Sequence, residues 1–221
     1  PRSRASIPST KRLKLNQRIT DSFMCIDFAK MVEALGLLKV VNGYQVRVSA
    51  RKLLSEFGIT SFPVDIFKVA EMISARVMLT KELPQKISGY LLPISNGRSN
   101  FLIGVNWNKS FEHIRFTIAH EIGHIVNGDY QYKAILLDSL ELDTPETERY
   151  PFIHERFANI FAAELLMPSY MVKRYAEKEK NINMLCARFG VSHSAMMIRL
   201  FDELGYNKEE FLYSTPRNRS L

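Results

Sequence analysis

Apolar residues recur along this chain at two spacings, and the changes between them outline the fold. Phe23, Ile26, Val32 and Leu35, followed by a stop at Gly36, predict a short amphipathic helix over 22–36. Two more helices are expected, over 50–57 ended by Gly58 and over 64–73 behind Pro63. The period then drops to two: residues 76–80, 87–92 and 101–105 read as strands, the last two joined by a turn at Asn96-Gly97. A small antiparallel sheet is therefore expected ahead of the next helix. That helix has Ser110 as N-cap, an apolar stripe of Phe111, Ile114, Ile118, Ile122 and Ile125, and Asn127-Gly128 as its stop. A further helix is predicted over 151–168, with Pro151 near its start and Pro168 at its end. Beyond it the chain looks helical to Glu179, and two short helices joined at Gly190-Val191-Ser192 follow in the manner of a helix-turn-helix. Met196, Leu200 and Leu204 form a stripe that needs a core, and no clear basic recognition face accompanies it, so packing is favoured over DNA reading.

The candidate chemistry lies on the helix behind Ser110. His120 and His124 are four residues apart, about 40° round the axis and about 6 Å along it, so both imidazoles leave one face. Zinc accepts imidazole nitrogen and in catalytic sites keeps a position open, while Glu121, next to the first histidine, can take a proton from water. Gly123 between them reads as a packing residue, where a missing side chain lets another element approach. A third ligand must come from elsewhere, and Glu155 on the 151–168 helix is the best candidate. Glu164 and His154 are its rivals, each on a different face from Glu155. Asn159, one turn beyond Glu155, is placed to accept the other ring N–H of a ligating histidine. Tyr150 and His154 are candidate donors to a developing oxyanion, whereas His113 is not expected to ligate.

The run Arg115-Phe-Thr-Ile-Ala-His-Glu-Ile-Gly-His124, followed by Glu155-Arg-Phe-Ala-Asn-Ile-Phe-Ala-Ala-Glu-Leu-Leu-Met-Pro168, resembles the ImmA/IrrE family of bacterial metallopeptidases. Weaker matches lie in Ala50 to Ile59 with Pro63-Val64-Asp65, in Ser88-Gly89-Tyr90 and in Val105-Asn106, so the resemblance covers about residues 48 to 205. It implies a zincin-like fold, zinc on His120, His124 and Glu155, Glu121 as general base, and a helix-turn-helix repressor as substrate, cut to release stress-response or mobile-element genes. The fold expected is thus α+β: a small antiparallel sheet packed with helices, an active-site helix, a following glutamate helix and a helix-turn-helix-like C-terminal segment. Divided accordingly, residues 1–21 form a basic arm, 22–47 a helical extension, 48–178 the metallopeptidase domain and 179–221 the C-terminal helical segment and tail.

Composition adds three things. The net charge of +7 lies mostly in residues 1–20, which carry Arg2, Arg4, Lys11, Arg12, Lys14 and Arg18 and no acid. Such an arm can touch nucleic acid, but without interleaved aromatics a solvated tail is the simpler reading. Cys25 and Cys186 are far apart and outside any ligand spacing, which argues against a disulfide framework and for a reducing compartment. No apolar run approaches a membrane span and no signal peptide is visible, so the expected location is cytoplasmic. Between the two metal helices, Asp138, Glu141, Asp143, Glu146 and Glu148 make an acidic stretch that is either a lid favouring a basic partner or a solvated insertion. The leading function is a zinc endopeptidase, with manganese able to replace zinc. Its alternative is a regulator that binds DNA or a repressor and holds a structural metal.

Overall fold

The computed structural model describes residues 42–94, 99–129 and 145–212, with residues 145–152 and 212 described by their backbone only. All fall within the unit Val41–Leu221. The arm at 1–20, the helix expected over 22–36, the Asn96-Gly97 turn and Asp138, Glu141 and Asp143 of the acidic stretch lie outside the described residues.

Helix α1 spans Gly43–Glu56, seven residues longer at its start than periodicity suggested, because Asn42 caps it by accepting from the Tyr44 N–H. Helix α2, Ile66–Met72, starts behind Asp65, whose side chain accepts from the Lys68 N–H. The strands are β1, Ala75–Thr80, β2, Gly89–Pro93, and β3, Phe101–Asn106. Their sheet is mixed rather than antiparallel throughout. Its order is β1-β3-β2, with β2 antiparallel to β3 (Gly89 opposite Val105) but β1 parallel to it (Ala75 opposite Phe101). The reason lies in burial. β3 is apolar and buried at nearly every position, so it takes the centre, and residues 81–88 carry the chain past it to the far edge before it returns. Asn106 pins that crossing: its buried amide donates to the carbonyls of Leu83, Pro84 and Ile87 at 3.3, 3.1 and 2.9 Å.

Helix α3, Phe111–Asn127, follows, with the Ser110 hydroxyl accepting from the His113 N–H. Helix α4, Pro145–Leu166, begins six residues before the expected Pro151; Pro145, with its φ already set for a helix, occupies the first position. Glu146 and Glu148 therefore lie on the first turns of a helix. Helices α5 (Ser169–Ala176), α6 (Ile182–Phe189) and α7 (His193–Met197) come next, then a π-helical run Ile198–Glu203 and the short α8, Glu209–Leu212. One core joins Ile114, Ile118 and Ile122 of α3 to Ile103 and Val105 of β3, Phe161 and Leu165 of α4, and Phe189, Met196 and Leu200 beyond. The helix-turn-helix-like segment therefore packs its apolar stripe into this core. Arg115, itself buried, ties α3 to both sides by donating to the carbonyls of Gly190 at 2.9 Å and Val64 at 2.8 Å.

Helices α3 and α4 come into close contact at Gly123. A Cβ there would stand 2.9 Å from the Ala158 Cα, a backbone atom that cannot turn aside. This contact sits one residue before His124 on one helix and one before Asn159 on the other, so it sets how near the functional side chains come. Gly123→Ala should recover about 1 kcal/mol of helix propensity and lose about 1–3 kcal/mol to overpacking. The expected result is a protein of lower thermal stability whose bound metal per chain also falls; a variant as stable and as metal-rich as the parent would show that the helices can separate freely.

Candidate metal centre

His120 and His124 leave the same face of α3, and α4 brings Glu155 against them. The His120 Nε2 and Glu155 Oε2 atoms are 3.0 Å apart, His124 Nε2 and Glu155 Oε1 3.3 Å, and the two Nε2 atoms 3.0 Å. The other ring nitrogen of each histidine is already engaged. His120 Nδ1 lies 3.0 Å from Asn159 Oδ1, and His124 Nδ1 lies 2.8 Å from Asp129 Oδ2. Since amide and carboxylate oxygens only accept, both Nδ1 atoms carry the proton, and both Nε2 lone pairs point into the same small space. The Glu155 carboxylate, anionic at neutral pH as an ordinary glutamate is, brings a third acceptor into that space.

Three acceptors converging without a donor between them repel one another unless a cation sits among them. Their spacing suits one: bonds of 2.0–2.1 Å to a tetrahedral ion set ligand atoms about 3.3–3.4 Å apart. His120, His124 and Glu155 form the one group of this kind among the described residues. Glu121, next to His120 in the chain, is 4% exposed and so offers its carboxylate from a largely dry position.

The support of His124 by Asp129 was not foreseen, although its signal is local. Gly128 adopts the left-handed conformation at φ 80°, and the Asp129 N–H returns to the His124 carbonyl at 3.0 Å while the Gly128 N–H returns to Ile125 at 3.2 Å. This Schellman closure of an Asn-Gly-Asp sequence folds Asp129 back onto the last turn, beside the histidine. Burial alone would raise the Asp129 pKa, but its hydrogen bonds with His124 and His154 outweigh it, and the carboxyl is held below its ordinary range. His154 thus has its Nδ1 against Asp129, with Asn127 Nδ2 at 3.1 Å, rather than directed at the three acceptors. The side chain of Tyr150 lies outside the described residues. His113 places Nε2 2.8 Å from the Ser88 hydroxyl, which ties α3 to the start of β2.

Glu164, the rival third ligand, is fully buried elsewhere. Its carboxylate accepts from Arg51 Nε at 2.7 Å, Arg199 Nη1 at 3.2 Å and Arg47 Nη1 at 3.4 Å, as well as from the N–H and hydroxyl of Ser169 at 3.0 and 3.1 Å. No sequence spacing marks this cluster, because its members come from α1, α4, α5 and the π-helical run.

Asn159→Ala and Asp129→Ala should each lower metal affinity or activity by about 10- to 100-fold, as expected of groups that orient a ligand without touching the ion. Asp129 should cost more, being buried and charged. Competition with a chromophoric chelator measures this, and an unchanged affinity would make Asn159 an ordinary surface residue.

Set beside known proteins, the chain matches no curated sequence. Among solved structures it is similar to a Mycobacterium tuberculosis transcriptional regulator, with a TM-score of 0.54 and 19% identity, over 86% of this chain and 51% of that one. That likeness is one of fold, and the chain spans about half the length of that protein. The Peptidase_M78 model, described as the IrrE N-terminal-like domain, matches residues 71–201. This stretch is more than half of the chain and contains β1 to β3, α3 and α4 with all three converging acceptors, and the chain belongs to that metallopeptidase family.

Proposed function

We propose that this protein is a zinc-dependent endopeptidase that cuts a helix-turn-helix transcriptional repressor at one exposed linker or helix end, within a catalytic domain of about residues 48–178. The observation that carries the proposal is the convergence of His120, His124 and Glu155, with both histidines already oriented by Asn159 and Asp129. A zinc ion held there supplies a Lewis acid for the scissile carbonyl and lowers the pKa of water. Glu121 accepts the proton of the attacking water and returns it to the departing amine, a double duty suited to a buried carboxylate beside the first ligand. Strand β2, at an edge of the sheet and tied to α3 through Ser88 and His113, offers a place for an extended peptide to pair as one more strand.

The competing reading, a regulator with a structural metal, draws on the transcriptional regulator of similar fold. A structural zinc is normally closed by four protein ligands, whereas three converge among the described residues, with an acid standing next to the first of them. This favours catalysis. Incubation with the repressor encoded beside the gene, and with unfolded casein, in the presence of zinc or manganese tests the proposal. One or two cuts in the repressor, lost on chelation, with casein largely spared, are expected. Brisk digestion of casein with an intact repressor would overturn it.

A further inference from the structure

Arg199 is the largest of the fully buried side chains, and one edge of it is unmatched. Its Nη1 donates to Glu164 and Glu203 at 3.2 and 2.5 Å, whereas Nε and Nη2 are buried and find no partner among the described residues. Those two nitrogens form one side of the guanidinium plane, the fork that meets both oxygens of a carboxylate at once. A cation's N–H buried without an acceptor is costly, so packing alone does not account for this edge. The charge is unbalanced in the same sense. Arg47, Arg51 and Arg199 stand against Glu164 and Glu203, three cations to two anions.

The same side chain lines a cavity of about 440 Å³ between α3, α4 and the C-terminal helices, within the range of about 300–1,000 Å³ usual for small-molecule sites. Most of the remaining wall is apolar, from Phe116, Ile160, Ala163, Met167, Ala195 and Ile198. Two acids also line it. Glu203 is already paired with Arg199 and Arg47, and Glu112 bears on Arg115. Ile198, Arg199 and Glu203 reach the cavity from the π-helical run, a widened turn of a kind found frequently at functional sites.

We propose that this cavity binds a small molecule with one carboxylate on an apolar body, the carboxylate taken by Arg199 Nε and Nη2 and the body by the apolar wall. A single negative charge brings the arginine cluster to neutrality, which a phosphate monoester, carrying nearly two at neutral pH, overshoots. Asn159 lines the cavity and also meets His120 Nδ1 at 3.0 Å, so the bound acid touches a residue that orients a histidine of the metal centre. The acid is therefore an effector: its binding and metal binding change each other's affinity by one common factor. The site is distinct from the three converging acceptors, none of which lines it, and it does not depend on the endopeptidase reading.

Titration calorimetry on the full, zinc-loaded chain compares octanoate with octanamide, which has the same shape and no charge, and with octyl phosphate. Octanoate should bind about 10- to 100-fold more tightly than octanamide, as expected for hydrogen bonds between charged groups, and more tightly than octyl phosphate. Arg199→Lys keeps a charge beside Glu164 and Glu203 but has no fork, and should erase the preference for octanoate. Should that buried substitution misfold, Ile198→Glu serves in its place: the position is 52% exposed, and a like charge at the mouth should weaken octanoate while leaving octanamide unchanged. Zinc affinity, measured by competition with a chromophoric chelator, should change about fivefold or more when octanoate is present. Octanoate bound no better than octanamide, or a preference that survives the substitution, would overturn the site. Tightest binding of octyl phosphate would overturn the carboxylate and assign the edge to phosphate, and an unchanged zinc affinity with octanoate bound would overturn the effector role.

Discussion

Glu164→Ala is expected to unfold the protein under conditions where the parent is stable, at a cost of about 3–5 kcal/mol. The residue is 0% exposed and accepts from three arginines, of which Arg199 is itself 1% exposed. Removing the carboxylate takes away the acceptor those cations share. Glu203 still reaches Arg199 at 2.5 Å and Arg47 at 3.1 Å, but Arg51 loses its carboxylate partner, and the Ser169 N–H at the start of α5 loses its acceptor. Breaking a buried ion network on one side is far more harmful than never having built it, because the desolvation of the remaining charges is no longer offset. Single domains are stable by only about 5–15 kcal/mol, so the expected loss is a large fraction of the total. Glu164→Gln, which keeps the shape and part of the hydrogen bonding, should cost less. Urea unfolding followed by circular dichroism measures both, and a Glu164→Ala midpoint equal to the parent's would show the cluster to be energetically idle.

The second large effect is chemical rather than structural. Glu121→Gln should retain metal and lose about 10²- to 10⁴-fold in turnover, since an amide occupies the same volume and cannot take a proton. His120→Ala, His124→Ala and Glu155→Ala should instead lose the metal along with activity, because each deletes one of three converging atoms. Metal per chain and turnover have to be measured on the same samples for the two classes to separate. A Glu121→Gln protein that still hydrolyses its substrate at the parental rate would remove the proposed base and return the site to a binding role.

Much of this molecule is local in origin, and what is local could be read from the chain. Helix α3 is marked by its Ser110 cap, its isoleucine stripe and the Asn127-Gly128 stop, all of which act within a turn or two. His120 and His124 share a face because they are four residues apart on that helix, whatever packs around them. The positions of the strands follow from period-two patterning for the same reason. Fold family was legible too, since the two motifs that carry it are continuous stretches.

What the chain left open depends on residues distant in sequence. Strand direction is one case: neither β1 nor β3 encodes the parallel pairing, which comes from which strand is buried enough to take the centre. The long start of α1 is another, since Val46 is the one residue its first turn buries and the Asn42 cap opens it. Helix faces ranked Glu155 above Glu164 and His154, yet only the close crossing at Gly123 and Ala158 puts its carboxylate 3.0 and 3.3 Å from the two histidines. The arginine cluster around Glu164 was invisible for the same reason. Its members, Arg47, Arg51, Arg199 and Glu203, read along the chain as ordinary surface charges, and it is the packing of four separate segments that buries Glu164 and Arg199 and brings the part-exposed Arg47, Arg51 and Glu203 onto them.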